Sequence, residues 1–428
     1  MQGFGTEPFH FTRATALKQL VPYHLATPQY ATKLYQTLCL FAIIKAMIVA
    51  ISKLSGVIYK HIAKPILFKM TPDAAHSKMI TAGSAVQKFG FLRWLMRWSW
   101  AYQNPEKLSQ TLCGLEFQNP LGLSAGLDKN FEITGVVNAI GFGQMEGGSI
   151  TFKPCSGNPK PWFYRLPKTK SIVVHVGLAN QGAPKNLKRL DKYADVQIGQ
   201  MQMNVSVAYT NEEKTKTEKE AIADYVGTLN LIKKSRRTNL VTMNISCPNT
   251  YGGEPFTTPA KLEKLLSAVD RVGLEIPVFI KMPIDKTEAE FAALIDVILK
   301  HNVQGVTIAN LWKGRKKATL SDDLPDSVPG NLSGKPTFEK SNQLIALTYK
   351  KCGDELIISG VGGVFSAEDA YEKIRAGASL VEMVTGLMFE GPQIVGQINR
   401  GLVKLLERDG YKNISEAVGT RTLERNRK

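Results

Sequence analysis

Eight short apolar runs separated by stretches of helical periodicity predict an α/β fold, a (β/α)8 TIM barrel with a helical extension in front of it. Three observations carry that prediction. The chain has 428 residues, enough for a barrel of roughly 250 residues plus an extension. The runs are rich in Val, Ile, Leu and Met with little polar alternation, as parallel strands buried on both faces are. Most of them end in small, polar or Gly-rich residues, which suits the C-terminal rim where a barrel carries its chemistry. A doubly wound open sheet is the alternative that the same alternation allows.

The expected strands lie near 120–125, 142–149, 196–205, 240–246, 277–282, 303–309, 356–361 and 379–384. Helical patterns fall between them at 219–235, 258–272, 286–301, 339–351 and 366–376. Two polar stretches, 206–220 and 313–338, read as long loops. The expected organisation is an N-terminal extension over 1–56, irregular to about residue 30, then a helical membrane-associating region over 57–105. The barrel follows over 106–410, and a basic tail over 411–428.

Ahead of the barrel the pattern is apolar and basic. A helix is expected from Ala31 to Leu54, and its apolar centre of about 14 residues is short for a membrane span, which takes roughly 20. An interfacial helix, or a hairpin with a second helix at 57–69, fits that length better, and a helix packed on the protein's own surface is the bland alternative. Thr71 and Pro72 form a helix start. Phe91, Trp94, Trp98, Trp100 and Tyr102, interleaved with Arg93 and Arg97, form either a membrane-interface belt or a core helix.

The net charge is +17, and the first hundred residues hold twelve Lys/Arg against Glu7 and Asp73. A basic quarter without an aromatic-plus-Arg RNA motif points to an anionic membrane surface rather than to nucleic acid. The five cysteines (39, 113, 155, 247 and 352) are scattered and include no C-x-x-C, which argues for a reducing compartment and against a disulfide framework, a zinc site or an iron–sulfur cluster. No metal is expected.

The strand ends carry the chemistry. The first runs into SAGLDK (124–129), where small residues let a flat ligand approach the backbone and Lys129 adds a cation. The second ends in GGSIT with Ser149, the third near Asn204, and the fourth in NISCPNT with Asn244, Cys247 and Asn249. Asn side chains both donate and accept, which suits a planar heterocycle, and Cys247 is a candidate base or nucleophile. The fifth ends in Lys281, placed to face the electron-rich side of a flavin, and the sixth in Asn310. GVGG (360–363) and TG (385–386) after the last two suggest a phosphate site built from backbone N–H groups.

Across 57–407 the chain resembles the class 2 dihydroorotate dehydrogenases. The resemblance rests on AHSKMI after TPDA, NPLGLSAGLDKN, GFGQMEGGSITFKPCSGNPKPWFYRLP, NISCPNT, GNLSGKPT and IISGVGGVFSAEDAYEKIRAGASLVEMVTGLMFEGP. It implies the barrel fold and the FMN-dependent oxidation of dihydroorotate to orotate in pyrimidine synthesis, with electrons passed to a membrane quinone. It also implies membrane association on the cytoplasmic face, the inner membrane in a bacterium. Carried over, the FMN contacts are Ala125, Gly126, Lys129, Ser149, Asn204, Asn244, Lys281, Gly334, Gly363, Val384 and Thr385. The substrate contacts are Lys129, Asn244, Asn249 and Asn310, the base is Cys247, and His76 and Arg165 line the quinone tunnel.

Three positions depart from the family pattern. Cys247 stands where class 2 enzymes usually carry Ser and class 1 enzymes carry Cys. Val174 stands where the family's substrate loop has Asn, and Leu311 replaces the Thr of an Asn-Thr pair. Two polar substrate contacts are thereby missing, so a second expectation keeps flavin and barrel but changes the cyclic substrate or the acceptor. A non-catalytic binding protein on a degenerate barrel is the third, disfavoured by intact Lys129, Asn244, Cys247 and Lys281.

Overall fold

A computed structural model describes residues 28–212, 217–251 and 253–426. The expected irregular segment over 1–30 falls almost wholly outside them, as does part of the 206–220 loop. Two units are distinguished, residues 1–53 and 54–428.

The second unit contains the barrel. Its strands are β1 (Leu121–Leu123), β2 (Gln144–Ile150), β3 (Gln202–Val207), β4 (Leu240–Asn244), β5 (Val278–Lys281), β6 (Gly305–Ile308), β7 (Ile357–Val361) and β8 (Leu380–Met383). Each pairs in parallel with its neighbours in sequence, and β8 pairs with β1 to close the ring. Almost every strand residue is buried, which is why the runs lack polar alternation. The expected third strand begins later than the sequence suggests. Asp195–Ile198 forms a helical turn first, where the Gln197 side chain accepts the Ala194 N–H at 3.1 Å.

The barrel helices occur where expected: Glu218–Ile232, Pro259–Val272, Glu288–Ile298, Phe338–Cys352 and Ala367–Ala376. Starts are fixed by Thr217, Thr287 and Ser366, each accepting a backbone N–H. A small antiparallel sheet of Phe163–Leu166, Ser171–Val174 and Asn331–Leu332 adds a separate layer, so part of the long 313–338 loop is strand. Residues 411–426 do not trail away. Ile414 and Ala417 are fully buried, Thr422 donates to the Ala376 carbonyl at 2.9 Å, and Arg421 pairs with Glu372.

The extension also differs from expectation. Helix α1 (Pro28–Ile58) runs through a π-helical turn at Tyr59–Ala63 into α2 (Lys64–Lys69). There is no turn at 55–56, so the hairpin reading fails. Ser55 and Gly56 are a packing notch rather than a break. Ser55 Oγ accepts the Trp100 indole N–H at 3.2 Å, and a Cβ on Gly56 would lie 3.0 Å from the Gln393 side chain. The helical stretch Tyr35–Lys69 is long and apolar enough, by length and composition, to cross a membrane. Helix α3 (Pro72–Val86) starts as expected, with Thr71 Oγ accepting the Ala74 N–H at 3.4 Å. Helix α4 (Gly90–Trp100) is no core helix on its aromatic side: Phe91 and Trp94 are 68% and 58% exposed, in a row completed by Trp98.

Close backbone contact joins α4 to the helix Ile394–Asp409. A Cβ built on Gly396 would stand 1.8 Å from the Trp100 carbonyl oxygen, and backbone there cannot yield cheaply. Gly396→Ala is expected to cost about 1–3 kcal/mol and lower Tm by a few degrees. Gly90→Ala, whose Cβ meets only the Arg93 side chain at 3.8 Å, is the control expected to leave Tm unchanged. Equal melting of the two variants would contradict this account.

Candidate active site

The C-terminal ends of the strands converge on one cleft. Of the residues expected to bind ligands, Ala125, Gly126, Lys129, Ser149, Asn244, Cys247, Asn249, Lys281, Asn310, Val384 and Thr385 all line it, as does His76. Gly334 and Gly363 line an adjoining lobe, which shares Ala125, Lys281, Asn310, Val384 and Thr385 with the main cleft. Two expected residues are placed elsewhere. Asn204 is turned into the barrel and exchanges hydrogen bonds with Thr242 at 2.9 and 3.1 Å. Arg165 donates to the carbonyls of Leu67, Phe68 and Met70 at 2.8–3.3 Å and stacks on Phe68, so it caps the end of α2.

Local structure explains each placement. The loop after β1 is shaped by buried Asp128, whose carboxylate accepts the N–H groups of Asn130, Glu132 and Ile133 at 3.2, 2.8 and 2.8 Å. That loop presents Lys129. Burial pulls the Lys129 pKa down to about 8, against the opposing charges of Asp128, Asp73 and Glu132. His76 Nε2 lies 2.8 Å from the Leu127 carbonyl, which only an N–H at that position satisfies. Burial, then the Lys129 charge, pull the His76 pKa down to about 4, so the ring is neutral near pH 7.

The asparagines hold one another. Asn244 donates to Ser149 Oγ at 2.9 Å, while its Oδ1 accepts from Asn310 at 3.0 Å and from the Ser246 N–H at 3.4 Å. Asn310 donates also to Ser246 Oγ at 3.1 Å and accepts the Leu311 N–H at 2.8 Å. Asn249 donates to the Val174 carbonyl at 3.1 Å and accepts from Asn331 at 2.9 Å. An amide side chain offers two N–H and two lone pairs. Among the described residues, what remains unused is one N–H each on Asn244 and Asn249, and one lone pair each on Asn249 and Asn310.

Cys247 sits among them. Burial pushes its thiol up to about 12, with Glu254 and Cys155 adding to the rise and the Asn249 backbone and Lys313 opposing it. Lys281 donates to Glu146 at 2.8 Å and to Ser124 at 3.1 Å. Burial works against the Lys281 charge, yet the Glu146 and Glu382 carboxyls outweigh it and hold its pKa above the ordinary value. Glu146 and Glu382 are the residues that strand-end reasoning passes over. The available signal was a lone Glu inside each of two buried runs, QMEGGSI and LVEM.

The cleft has the features a flat, phosphorylated cofactor needs. A Cβ on Gly126 would meet nothing within 4 Å, so glycine keeps the floor of the cleft open there. In the smaller lobe Gly334, Gly362 and Gly363 have φ of 76°, 110° and 72°, a backbone that side chains disfavour.

Comparison with known proteins agrees. The family model described as dihydroorotate dehydrogenase matches residues 107–406. A Rhizobium johnstonii protein named dihydroorotate dehydrogenase (quinone) is 36% identical over 371 residues, covering 85% of this chain and 96% of that one. A Deinococcus deserti protein of the same name is 34% identical, covering 84% and 99%. The crystal structure of DHODH from Eimeria tenella in complex with ferulenol superposes with a TM-score of 0.71 at 26% identity, over 82% of this chain and 95% of that one. The chain belongs to the quinone-type dihydroorotate dehydrogenase family, whose members are flavin-dependent.

Proposed function

We propose that this chain oxidises (S)-dihydroorotate to orotate in pyrimidine biosynthesis, using FMN in the rim cleft and a membrane quinone as acceptor. The observation that carries the reading is the pattern left on the asparagines, two N–H groups and two lone pairs, set beside Lys129 and Cys247 in one cleft. Dihydroorotate presents the complement: two ring N–H groups, two ring carbonyls and a carboxylate.

When bound, FMN would supply the hydride-accepting and electron-transferring chemistry between substrate and quinone. Gly126, Ala125 and Ser149, which line the main cleft, would make room for its ring, and Gly334, Gly363, Val384 and Thr385, which line the smaller lobe, would hold its phosphate. Lys281 places a positive charge beside the ring, and Asn204 supports the strand beneath. Lys129 pairs with the substrate carboxylate. Asn244, Asn249 and Asn310 fix the heterocycle, their rotamers locked by the bonds among themselves and to Ser149, Ser246 and Asn331. Cys247 takes the C5 proton as a thiolate. On the far side His76, Leu127, Phe163, Ile172 and Met388 form an apolar approach for quinone, and Arg165 holds the end of α2 beside it. The apolar stretch Tyr35–Lys69 and the exposed aromatic row of α4 support membrane association, which we place on the cytoplasmic face, the inner membrane in a bacterium.

A second reading is favoured by Val174 and Leu311, both of which line the cleft where polar groups are expected. It keeps flavin and barrel and substitutes a less polar cyclic amide or enoate. Losing a buried polar partner costs about 1–3 kcal/mol.

Stopped-flow reduction of the bound flavin tests the base. Cys247→Ala should abolish reduction by dihydroorotate at neutral pH. In the wild type a thiol held near 12 is mostly protonated at pH 7, so the thiolate fraction, and with it the rate, should rise about tenfold per pH unit from neutrality up to the point near pH 8 where Lys129 begins to lose its charge. A flat profile, or an unimpaired alanine variant, would remove Cys247 from the mechanism. The substrate is tested by Val174→Asn. A restored contact should lower the KM for dihydroorotate on the order of tenfold to a hundredfold. An unchanged KM would show that position 174 does not read this substrate.

A further inference from the structure

Beneath the cleft lies a cluster to which the chemistry above assigns no part. Glu146 on β2 and Glu382 on β8 both point into the barrel and are 1% and 0% exposed. Between their strands runs β1, whose Gly122 is in register with Glu382 on one side and with Gln144 on the other. A Cβ on Gly122 would strike the Gln144 side chain at 2.5 Å, so the glycine lets Gln144 reach across and donate to Glu382 at 3.1 Å. Ser359 donates to the same Glu382 oxygen at 2.9 Å. One Glu146 oxygen accepts from Lys281 at 2.8 Å, from the Ala125 N–H at 3.1 Å and from Ser124 at 3.4 Å.

The remaining oxygens, Glu146 Oε1 and Glu382 Oε2, are buried and receive no donor among the described residues. The two carboxyl groups lie within hydrogen-bonding reach of each other. Lys281 is the cation whose charge acts on both of them. Two buried carboxylates against one ammonium would leave a net negative charge in the barrel, and the repulsion between close like charges opposes it. A proton between the two oxygens removes both the excess charge and the missing donor.

We propose that Glu146 and Glu382 share one proton, Glu382 donating to Glu146, and that this pair is a positioning device that holds the Lys281 ammonium in charge balance under the cofactor. The directions of titration agree. Burial, then the Glu146 charge, push Glu382 well above the carboxylate range. Glu146, although burial opposes its charge, is held below the ordinary value by Lys281 and by its hydrogen bonds to Glu382 and Ala125. Lys281 and Glu382 both line the cofactor lobe, so the charge of the cluster is felt there. Its bearing on the flavin rests on the cofactor reading above, and the proton sharing does not.

The test is infrared spectroscopy of the holoenzyme. The difference spectrum between wild type and Glu382→Gln at neutral pH should show the carbonyl stretch of a protonated carboxyl, shifted to lower frequency in heavy water. Glu146→Gln should lose the same band, because Glu382 then ionises to pair with Lys281. Survival of the band in Glu146→Gln would mean an isolated neutral acid and would overturn the sharing, as would its absence from the wild type. A second readout is the flavin reduction potential as a function of pH. In the wild type it should fall more steeply above the alkaline pH at which the shared proton leaves, and Glu382→Gln should lack that break. Identical curves would overturn the link to the cofactor.

Discussion

Closing eight parallel strands into a ring is the constraint on which everything else here depends. It leaves eight strand ends on one rim, so residues as far apart as Lys129 and Thr385 come to line a single cleft. It also leaves the interior with no solvent to satisfy polar groups. Polar side chains that the strands turn inward pair within the barrel, as Lys281 does with Glu146 and Gln144 with Glu382. On the proposed reading the rim does the chemistry and the interior sets the electrostatics under it, and the same strands deliver both.

Much of this was legible in the sequence because parallel strands announce themselves. Leu240–Met243 is apolar but for Thr242 and gives way to Asn244, Ser246 and Cys247, and the structure turns it into a buried strand, Leu240–Asn244, whose end meets the cleft. Lys281, a cation ending an apolar run, had to be either a mistake of folding or a charge with a purpose. What was not legible depends on contacts far apart in sequence. Ser55-Gly56 resembles a helix break, and only Trp100 and Gln393 show it to be a notch in a continuous helix. Arg165 looks like a cleft residue until the carbonyls at the end of α2 claim its guanidinium. The terminal residues look like a tail until Thr422 and Arg421 are seen to dock. A Glu in a strand gives no hint of whether its partner is a cation, a second acid or both.

The departures at Val174 and Leu311 gain meaning from the same geometry. Val174 has lost a side-chain contact but its backbone carbonyl still anchors Asn249, and Asn331 anchors the other end of that amide. Leu311 has lost a hydroxyl, but its backbone N–H holds Asn310 in place. The scaffolding that orients the three asparagines is therefore built from main chain and from neighbours, which is why it survives the loss of two polar side chains. On the proposed reading the cost falls on direct contacts to the substrate, since Val174 and Leu311 present apolar side chains to the cleft.

The measurement that tests this account most directly is an anaerobic absorbance titration of the purified holoprotein with dihydroorotate, followed by addition of a quinone in detergent. The account predicts a yellow protein whose flavin bands bleach as dihydroorotate is added and return when quinone is supplied. A yellow protein that does not bleach would contradict the proposed substrate while leaving the flavin barrel intact, and a colourless protein would contradict the cofactor itself.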